Sequence, residues 1–432
     1  MKSFTQADGV LPKHLQLSPE QEQALSDLAD RIVAETLQEN EDFVANDRRV
    51  DGRIWKKVKS REHVHVYRTR RSGSKHRGHS SDVNEKEPSR PRLLSNNAAE
   101  QHQRDAIAAG RPLGFVADDE EFQGEEASHT NTHSSTSEGG SFALEDSVLA
   151  KTKPSYVPLI EASGVMDGSV EDAAFGALAS TKYVWQVRNS YTKNDGFDGR
   201  KMLATLQSPS EEDPFRFIGI KWATRDYGAF MTRRDMVFLE SSGMAFDSDG
   251  ERVYYSLAHS IDLKEVPRLD RLNIIRMNLS SCYILRQLTE DKIDVYCRGY
   301  SDMSGEMPEG FSVSFFSAAV AGVSGMVECS YLKKLSWYMS RRRQRDSGAA
   351  AHSSHCGVCG KSVKKLSSLV QPGSGCPICR LPVCSKCSVQ KKLSIVSPDD
   401  VVQKQFSFCL SCVLEARKLP AWDVATSLLK AT

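Results

Sequence analysis

The chain has 432 residues, with 57 Lys and Arg against 56 Asp and Glu, so a net charge of +1 gives no argument for a nucleic-acid partner and leaves electrostatics to local clusters. At roughly 100 to 200 residues per domain, that length allows two or three domains. The first residues, MKSFTQADGV, hold neither an apolar run nor a small-residue cleavage site, which argues against a secretory signal and for a reducing, cytoplasmic setting where cysteines are thiols or metal ligands.

Residues 1–15 read as an N-terminal tail. Ser18, with Pro19 at the first helical position and Gln21 three residues on, opens a capped amphipathic helix along Leu25, Leu28, Ile32, Val33 and Leu37. After it, Trp55 and the alternating run His63 to Tyr67 predict a strand with Val64 and Val66 on one face and both histidines toward solvent. No cysteine or carboxylate cluster accompanies the two histidines, so no metal is expected there.

From 72 to 150 the composition shifts to Ser, Gly, His, Arg and Glu, with a basic start (Arg70, Arg71, Lys75, Arg77) and a later acidic stretch (Asp118, Asp119, Glu120, Glu121, Glu125, Glu126). So few apolar residues cannot offset the entropy of ordering, and a disordered insertion is expected. Residues 151–345 then carry an α+β pattern. Ser169 opens a helix, and β-branched or aromatic runs at 184–187, 217–222, 236–239, 253–257, 274–277, 283–286 and 292–296 predict seven strands of an antiparallel sheet. Asp247-Ser248-Asp249-Gly250 lacks the later ligands of a calcium loop and reads as a hairpin turn.

Residues 311–332 hold one charge, Glu328, and Arg341 to Arg343 follow, the pattern of a membrane span with a positive flank. Five serines, two glycines and a preceding sheet that needs a cover favour a long buried helix instead.

The segments PLIEASGVMDGSVEDAAFGAL, SPSEEDPFRFIGIKW, RRDMVFLE, VYYSLAHSIDLKEVP, NIIRMNLSSCYILRQL and DKIDVYCRGYSDMSGEMPEGF, followed by the terminal helix, resemble in order those of a START domain, the steroidogenic-acute-regulatory-related lipid-transfer fold. The likeness takes 16–71 as the first helix and strand, 72–150 as an insertion and 151–345 as the remainder. It implies a helix-grip architecture, a curved antiparallel sheet around a long C-terminal helix, with a tunnel for one lipid or sterol. Such a sheet and apolar helix also leave, on physical grounds, a cavity that admits a hydrophobic ligand.

Beyond a linker at 346–354, eight of the eleven cysteines form four C-x-x-C pairs: Cys356/Cys359, Cys376/Cys379, Cys384/Cys387 and Cys409/Cys412. Two such turns complete the tetrahedral sulfur shell of a closed structural zinc site, so eight sulfurs predict two Zn ions. Spacing alone leaves open which pairs share an ion. The short gap before VCSKCS resembles FYVE-type and FYVE-related zinc fingers, here 355–416 with a tail at 417–432. That likeness implies interleaved ligands: Cys356, Cys359, Cys384 and Cys387 on one zinc, Cys376, Cys379, Cys409 and Cys412 on the other. The remaining Cys282, Cys297 and Cys329 read as buried thiols.

The chain departs from the phosphoinositide-binding members of that family. It has AAAHSSHC, PGSGCPIC and FSFC where they carry W-x-x-D, a basic run at the third cysteine and R-V-C, so the donors for a 3-phosphate are absent. A weaker membrane contact is expected from Lys364, Lys365, Leu366, Leu369, Val370, Lys391 and Lys392. No nucleophile elbow, phosphate loop, zincin or dinucleotide fingerprint occurs, so no enzyme and no catalytic residue is expected. The combined expectation is a cytoplasmic adaptor, peripheral on endosomal membrane, that carries a lipid or sterol and docks on a phosphoinositide membrane or a small GTPase. The alternative is a RING-like ubiquitin ligase or small-GTPase effector with the START-like domain as scaffold.

Overall fold

Ser18 caps the first long helix, α1 (Pro19–Ala45), in the computed structural model of the chain, which describes residues 7, 9–70, 147–192, 197–228, 231–345, 355–363, 375–396 and 401–431. Its hydroxyl accepts from Gln21 N at 3.3 Å and its own N–H donates to Gln21 Oε1 at 2.8 Å, the reciprocal box that the sequence predicts. Ala29, Ile32, Val33, Thr36 and Asn40 form its buried stripe. Each apolar member contributes about 1.5 to 3 kcal/mol by leaving water.

A large antiparallel sheet forms the centre. Its strands are β1 (Trp55–Arg61), β2 (Val64–Thr69), β3 (Ile160–Asp167), β4 (Phe197–Gln207), β5 (Phe217–Arg225), β6 (Arg233–Phe246), β7 (Arg252–Ser260), β9 (Asn278–Thr289) and β10 (Lys292–Asp302), with the short β8 (Ile274–Arg276) parallel to β6. The order is β1-β2-β3-β10-β9-β7-β6-β5-β4, so the N-terminal hairpin joins the C-terminal strands through β3 against β10. Alternation sends successive side chains to opposite faces. Tyr255 and Ile284 pack under α1, whereas Tyr254 and Leu285 pack with the helices of the other face.

Those helices are α3 (Val170–Ala177), α4 (Lys182–Thr192), α5 (Glu309–Ala321) and α6 (Gly325–Arg345); the short α2 (Val148–Thr152) shares a small core with Tyr300 through Leu149. Helix α3 is capped by Ser169 Oγ, which accepts from Asp172 N at 3.1 Å. It lies so close to α6 that a Cβ at Gly176 would overlap the Met326 carbonyl. The architecture is therefore α+β in a helix-grip arrangement: sheet on one side, a C-terminal helical segment held across it.

Several expectations need correction. Residues 184–187 belong to helix α4, not to a strand: Thr181 Oγ1 accepts from Val184 N at 3.1 Å and starts a helical turn, and a short β-branched run cannot separate helix from strand by itself. Strands β1, β3 and β4 add to the expected set. The expected single C-terminal helix is two helices bent by 45° at the break between Ala321 and Gly325, where Gly322 and Ser324 interrupt the apolar run. No single helix among the described residues is long and apolar enough to cross a membrane; the bent pair passes by length and composition only. Residues 147–150, read as the end of an insertion, cap and begin α2, while the rest of that insertion, 71–146, lies outside the described residues. Asp247 to Gly250 is the expected hairpin turn, closed by Gly250 N donating to Asp247 O at 3.0 Å with Gly250 at φ +77°.

One buried group makes the fold sensitive to acid. His259 on β7 is buried, bonded through Nδ1 to Ser280 Oγ at 2.9 Å, and burial pushes its imidazole down to about 4. The unfolded chain takes up this proton near pH 6.5, so between 6.5 and 4 it binds more protons than the folded one, and stability falls as pH falls. Glu161, pushed up to about 7 by burial, acts in the opposite sense from pH 7 down to its unfolded value, because the folded state takes up its proton first. The two effects separate in a His259→Asn variant. Wild type is expected to lose about 3 kcal/mol more than the variant between pH 7 and 4, an order-of-magnitude figure from the shift, as read by denaturant titrations at each pH. Parallel curves would show that His259 is not the titrating group.

Candidate functional site: an internal cavity and two cysteine clusters

A cavity of about 730 Å³ lies between the sheet and the helices of its second face. Strand β6 supplies Met236, Phe238 and Glu240, and Phe316, Val320 and Val323 of the C-terminal segment lie opposite. Alternate residues of β6 (Met236, Phe238, Glu240) and of β9 (Leu279, Ser281, Tyr283) line its floor, a mixed apolar and polar surface. Its size falls within the range of small-molecule sites.

A charged group sits against the cavity, with Arg188 and Glu240 in its lining. Arg188 of α4 donates through Nη1 to Glu240 Oε1 at 3.0 Å, and Lys221 of β5 reaches Glu240 Oε2 at 2.9 Å. Burial works to raise the Glu240 carboxyl, yet Arg188 and Lys221 outweigh it and hold it below the ordinary range. Burial also pulls the Lys221 ammonium down to about 8, against the pull of Glu240. Lys221 lies over the rings of Trp185 and Phe217 at 5.0 and 4.7 Å, so its stem and charge are both enclosed. Two polar atoms on the lining residues have no protein partner, Asn189 Nδ2 and Ser301 Oγ. Sequence reasoning gave none of these residues a role in a site; Lys221 inside the apolar run 217–222 and Glu240 directly after the apolar run 236–239 were the available signals.

The cysteines form two groups of four. Cys356, Cys359, Cys384 and Cys387 come together in one, Cys376, Cys379, Cys409 and Cys412 in the other, each with all sulfurs within 4.8 Å of one another. The grouping interleaves along the chain. Local backbone builds it twice over: Cys356 N donates to Lys361 O and Cys376 N to Leu381 O, while Gly360 and Arg380 take the left-handed turn that follows each pair. Cys384 closes the first group with its N–H on Cys356 Sγ at 3.4 Å, and Cys409 caps helix α7 (Leu410–Lys418) by accepting from Cys412 N at 3.3 Å. Between the third and fourth pairs runs a hairpin of β11 (Ser388–Val396) and β12 (Val401–Cys409).

These residues fit a metal. The Cys359–Cys384 and Cys379–Cys409 sulfurs are each 3.8 Å apart, the edge expected of a sulfur tetrahedron with metal–sulfur bonds of about 2.3 Å. Each group could hold one ion.

The module around them is not a separate bead. Leu332, Leu335 and Met339 of α6 share a core with Cys376, Ile378, Leu393, Phe408 and Cys412. Ser394 N donates to Tyr191 Oη at 2.6 Å, and Gln403 Nε2 donates to Ser190 O at 3.0 Å. Residues 417–432, read as a tail, contain helix α8 (Ala421–Leu429), whose Ala421, Val424 and Ala425 are buried against α3. Trp422 meets Phe215 edge-on at 5.3 Å. Of the expected membrane contacts, Lys364, Lys365, Leu366, Leu369 and Val370 lie outside the described residues. Lys391 pairs with Glu328 of α6 at 2.9 Å, facing the protein, and Lys392 is exposed. Cys282, Cys297 and Cys329 are buried.

No protein-family model matches the chain, and no curated protein matches it. Among solved structures it is similar to human STARD10, at 11% identity over 71% of this chain and 84% of that one with a TM-score of 0.37. It is also similar to human StAR-related lipid transfer protein 5 (13% identity, 69% and 97%, TM-score 0.34) and to the lipid transfer and protein localization domain of human StarD13 (13%, 68% and 95%, TM-score 0.33).

Proposed function

We propose that the chain is a non-catalytic lipid-binding adaptor: the cavity holds one lipid or sterol, each cysteine group holds one structural zinc ion, and the C-terminal module carries the docking surface. The observation that carries the reading is the cavity itself, where apolar side chains such as Met236, Phe238, Phe316 and Val320 share the lining with polar ones such as Arg188, Asn189 and Glu240, the composition of a site that orients an amphiphile. All-sulfur ligand sets and closed clusters support zinc over harder cations. Exposed Lys361, Lys386 and Lys392 on the module support contact with an anionic membrane, each worth about 1 kcal/mol near such a surface. The place proposed for this is the cytoplasmic face of endosomes, held peripherally.

Native mass spectrometry of the purified chain, repeated after denaturation, tests the reading. The expected result is a mass excess of two zinc ions plus a lipid-sized ligand that leaves on denaturation. A zinc-loaded protein that never carries a ligand, even after incubation with mixed liposomes, would remove the lipid-binding half. Metal-free protein that is fully folded under reducing conditions would remove the zinc half.

A further inference from the structure

We infer that the cysteine module forms one side of the cavity mouth and sets the rate at which a ligand passes. Its hairpin and helix α7 hold the ends of α4 and α6 in place, and exchange waits on their release. This rests on the lipid-binding reading above and adds the control of that site.

The exposed members of the lining mark the mouth: Arg61, Glu62 and His63 where β1 turns into β2, Asp167 at the end of β3, Glu328 on α6 and Arg417 on α7. The strand side is fixed. Strands β1, β2, β3 and β10 pair in succession, and a Cβ at Gly164 of β3 would overlap the His63 carbonyl, so nothing there can shift alone. The other side is helical, and α6 starts at the 45° break after α5, the place where a turn of helix can swing without breaking a sheet.

The module holds this helical side with two arms. One is the hairpin. Lys391 of β11 pairs with Glu328 at 2.9 Å, and Ser394 N donates to Oη of Tyr191, a lining residue of α4, at 2.6 Å. The Ser394 and Ser190 hydroxyl oxygens lie 2.6 Å apart, and Gln403 of β12 donates to Ser190 O at 3.0 Å. The hairpin thus spans the seam where α4 meets α6, so close that a Cβ at Gly325 would lie 3.6 Å from Thr192. The second arm is α7. Cys409 caps it, Cys412 sits in its first turn, and Arg417 in its last turn reaches the mouth, its guanidinium 4.4 Å over the ring of Tyr331, another lining residue. Both arms are rooted in the clusters, because the base of the hairpin pairs Ser388, directly after Cys387, with Cys409. Further along, α6 stays fixed to the module through Leu332, Leu335 and Met339, which confines any opening to its first turn and the end of α4. The hairpin contacts are single hydrogen bonds and one surface ion pair, each weak enough to break and re-form while the module stays folded.

The test uses the full chain as purified, its zinc content measured throughout, with NBD-labelled cholesterol and NBD-labelled phosphatidylcholine as probes. A Lys391→Ala, Gln403→Ala variant alters two hairpin residues that lie outside the lining. Release of probe to acceptor vesicles is expected to become about tenfold faster, the effect of about one net hydrogen bond, with equilibrium occupancy changed by about threefold at most. A Ser190→Cys, Ser394→Cys pair should oxidise to a lock that slows release about tenfold until reductant is added. A readout that needs no lipid runs beside these: maleimide labelling of a Ser281→Cys thiol in the cavity, located by peptide mass spectrometry, should quicken in the alanine variant to the same degree. Labelling and release at the wild-type rate in that variant, or a lock that changes neither, would overturn the inference. Acceleration that comes with lost zinc or a lower melting temperature would also overturn it, since the module would then have unfolded and not let go. Faster labelling in a protein that takes up neither probe would support the assignment of the mouth and remove the lipid-binding reading.

Discussion

Replacing Cys376 with serine is expected to unfold the C-terminal module, halve the bound metal and lower the thermal transition of the whole chain. A hard hydroxyl is a poor substitute for a thiolate in a sulfur shell, and a structural site of this kind contributes on the order of 10 kcal/mol to folding. The consequence spreads because Cys376, Cys409 and Cys412 are buried in the same core as Leu332, Leu335 and Met339 of α6. Loss of that cover returns three apolar side chains to water, at about 1.5 to 3 kcal/mol each when fully buried. Cys359→Ser makes the contrast. Its cluster has an exposed edge and none of its members joins the α6 core, so metal should fall by one ion with a smaller change in the main transition. Metal content with thermal melts checks both variants. A Cys376→Ser protein that keeps two ions and melts like wild type would show that this sulfur is no ligand.

The parts of this architecture that could be read from the sequence are those where one local rule governs one element. The capping box at Ser18, the alternation of Val64 and Val66 and the Asp-Gly turn at 249–250 are short-range signals with short-range consequences. The four C-x-x-C pairs belong to the same class, since thiolates at that spacing have few other uses in a reducing setting. What escaped depends on packing from both sides. Helix α4 buries Trp185, Val187 and Asn189, an every-other-residue pattern that imitates a strand because the helix is wedged between the sheet and α6. Helix α8 follows immediately on the module and has too few residues to stand alone; its place is fixed by Phe215 and the face of α3, which the sequence separates from it by about half the chain. The buried charged group was invisible for a related reason. Arg188, Lys221 and Glu240 come from three elements, and nothing in their sequence neighbourhoods links them.

Lys334→Met should detach helix α8 from the rest of the domain while leaving the cysteine clusters loaded. The Lys334 side chain is 1% exposed, and its ammonium sits at a junction of three elements: Asp172 Oδ1 of α3 at 2.7 Å, and the carbonyls of Arg417 and Leu419 at 2.8 and 2.9 Å, at the end of α7 and just before α8. Methionine fills nearly the same volume, so packing is kept and the loss is electrostatic. Two carbonyls then lose their donor, and the Asp172 carboxylate is left with the hydroxyls of Ser169 and Ser330. Breaking a buried pair by removing one partner costs about 3 to 5 kcal/mol, because the other charge stays behind. That penalty falls on the turn between α7 and α8 where it meets α3 and α6, several residues beyond Cys412 at the start of α7. The expected readout is faster hydrogen exchange through 419–429 with unchanged exchange in β5 to β7 and unchanged metal content. An Asp172→Asn, Lys334→Met double variant separates pairing from packing: with the orphaned charge removed, it should recover part of the loss. If exchange through 419–429 stays at the wild-type rate in Lys334→Met, the apolar contacts of Ala421, Val424 and Trp422 hold α8 in place without the ammonium, and the junction is a consequence of docking and not its cause.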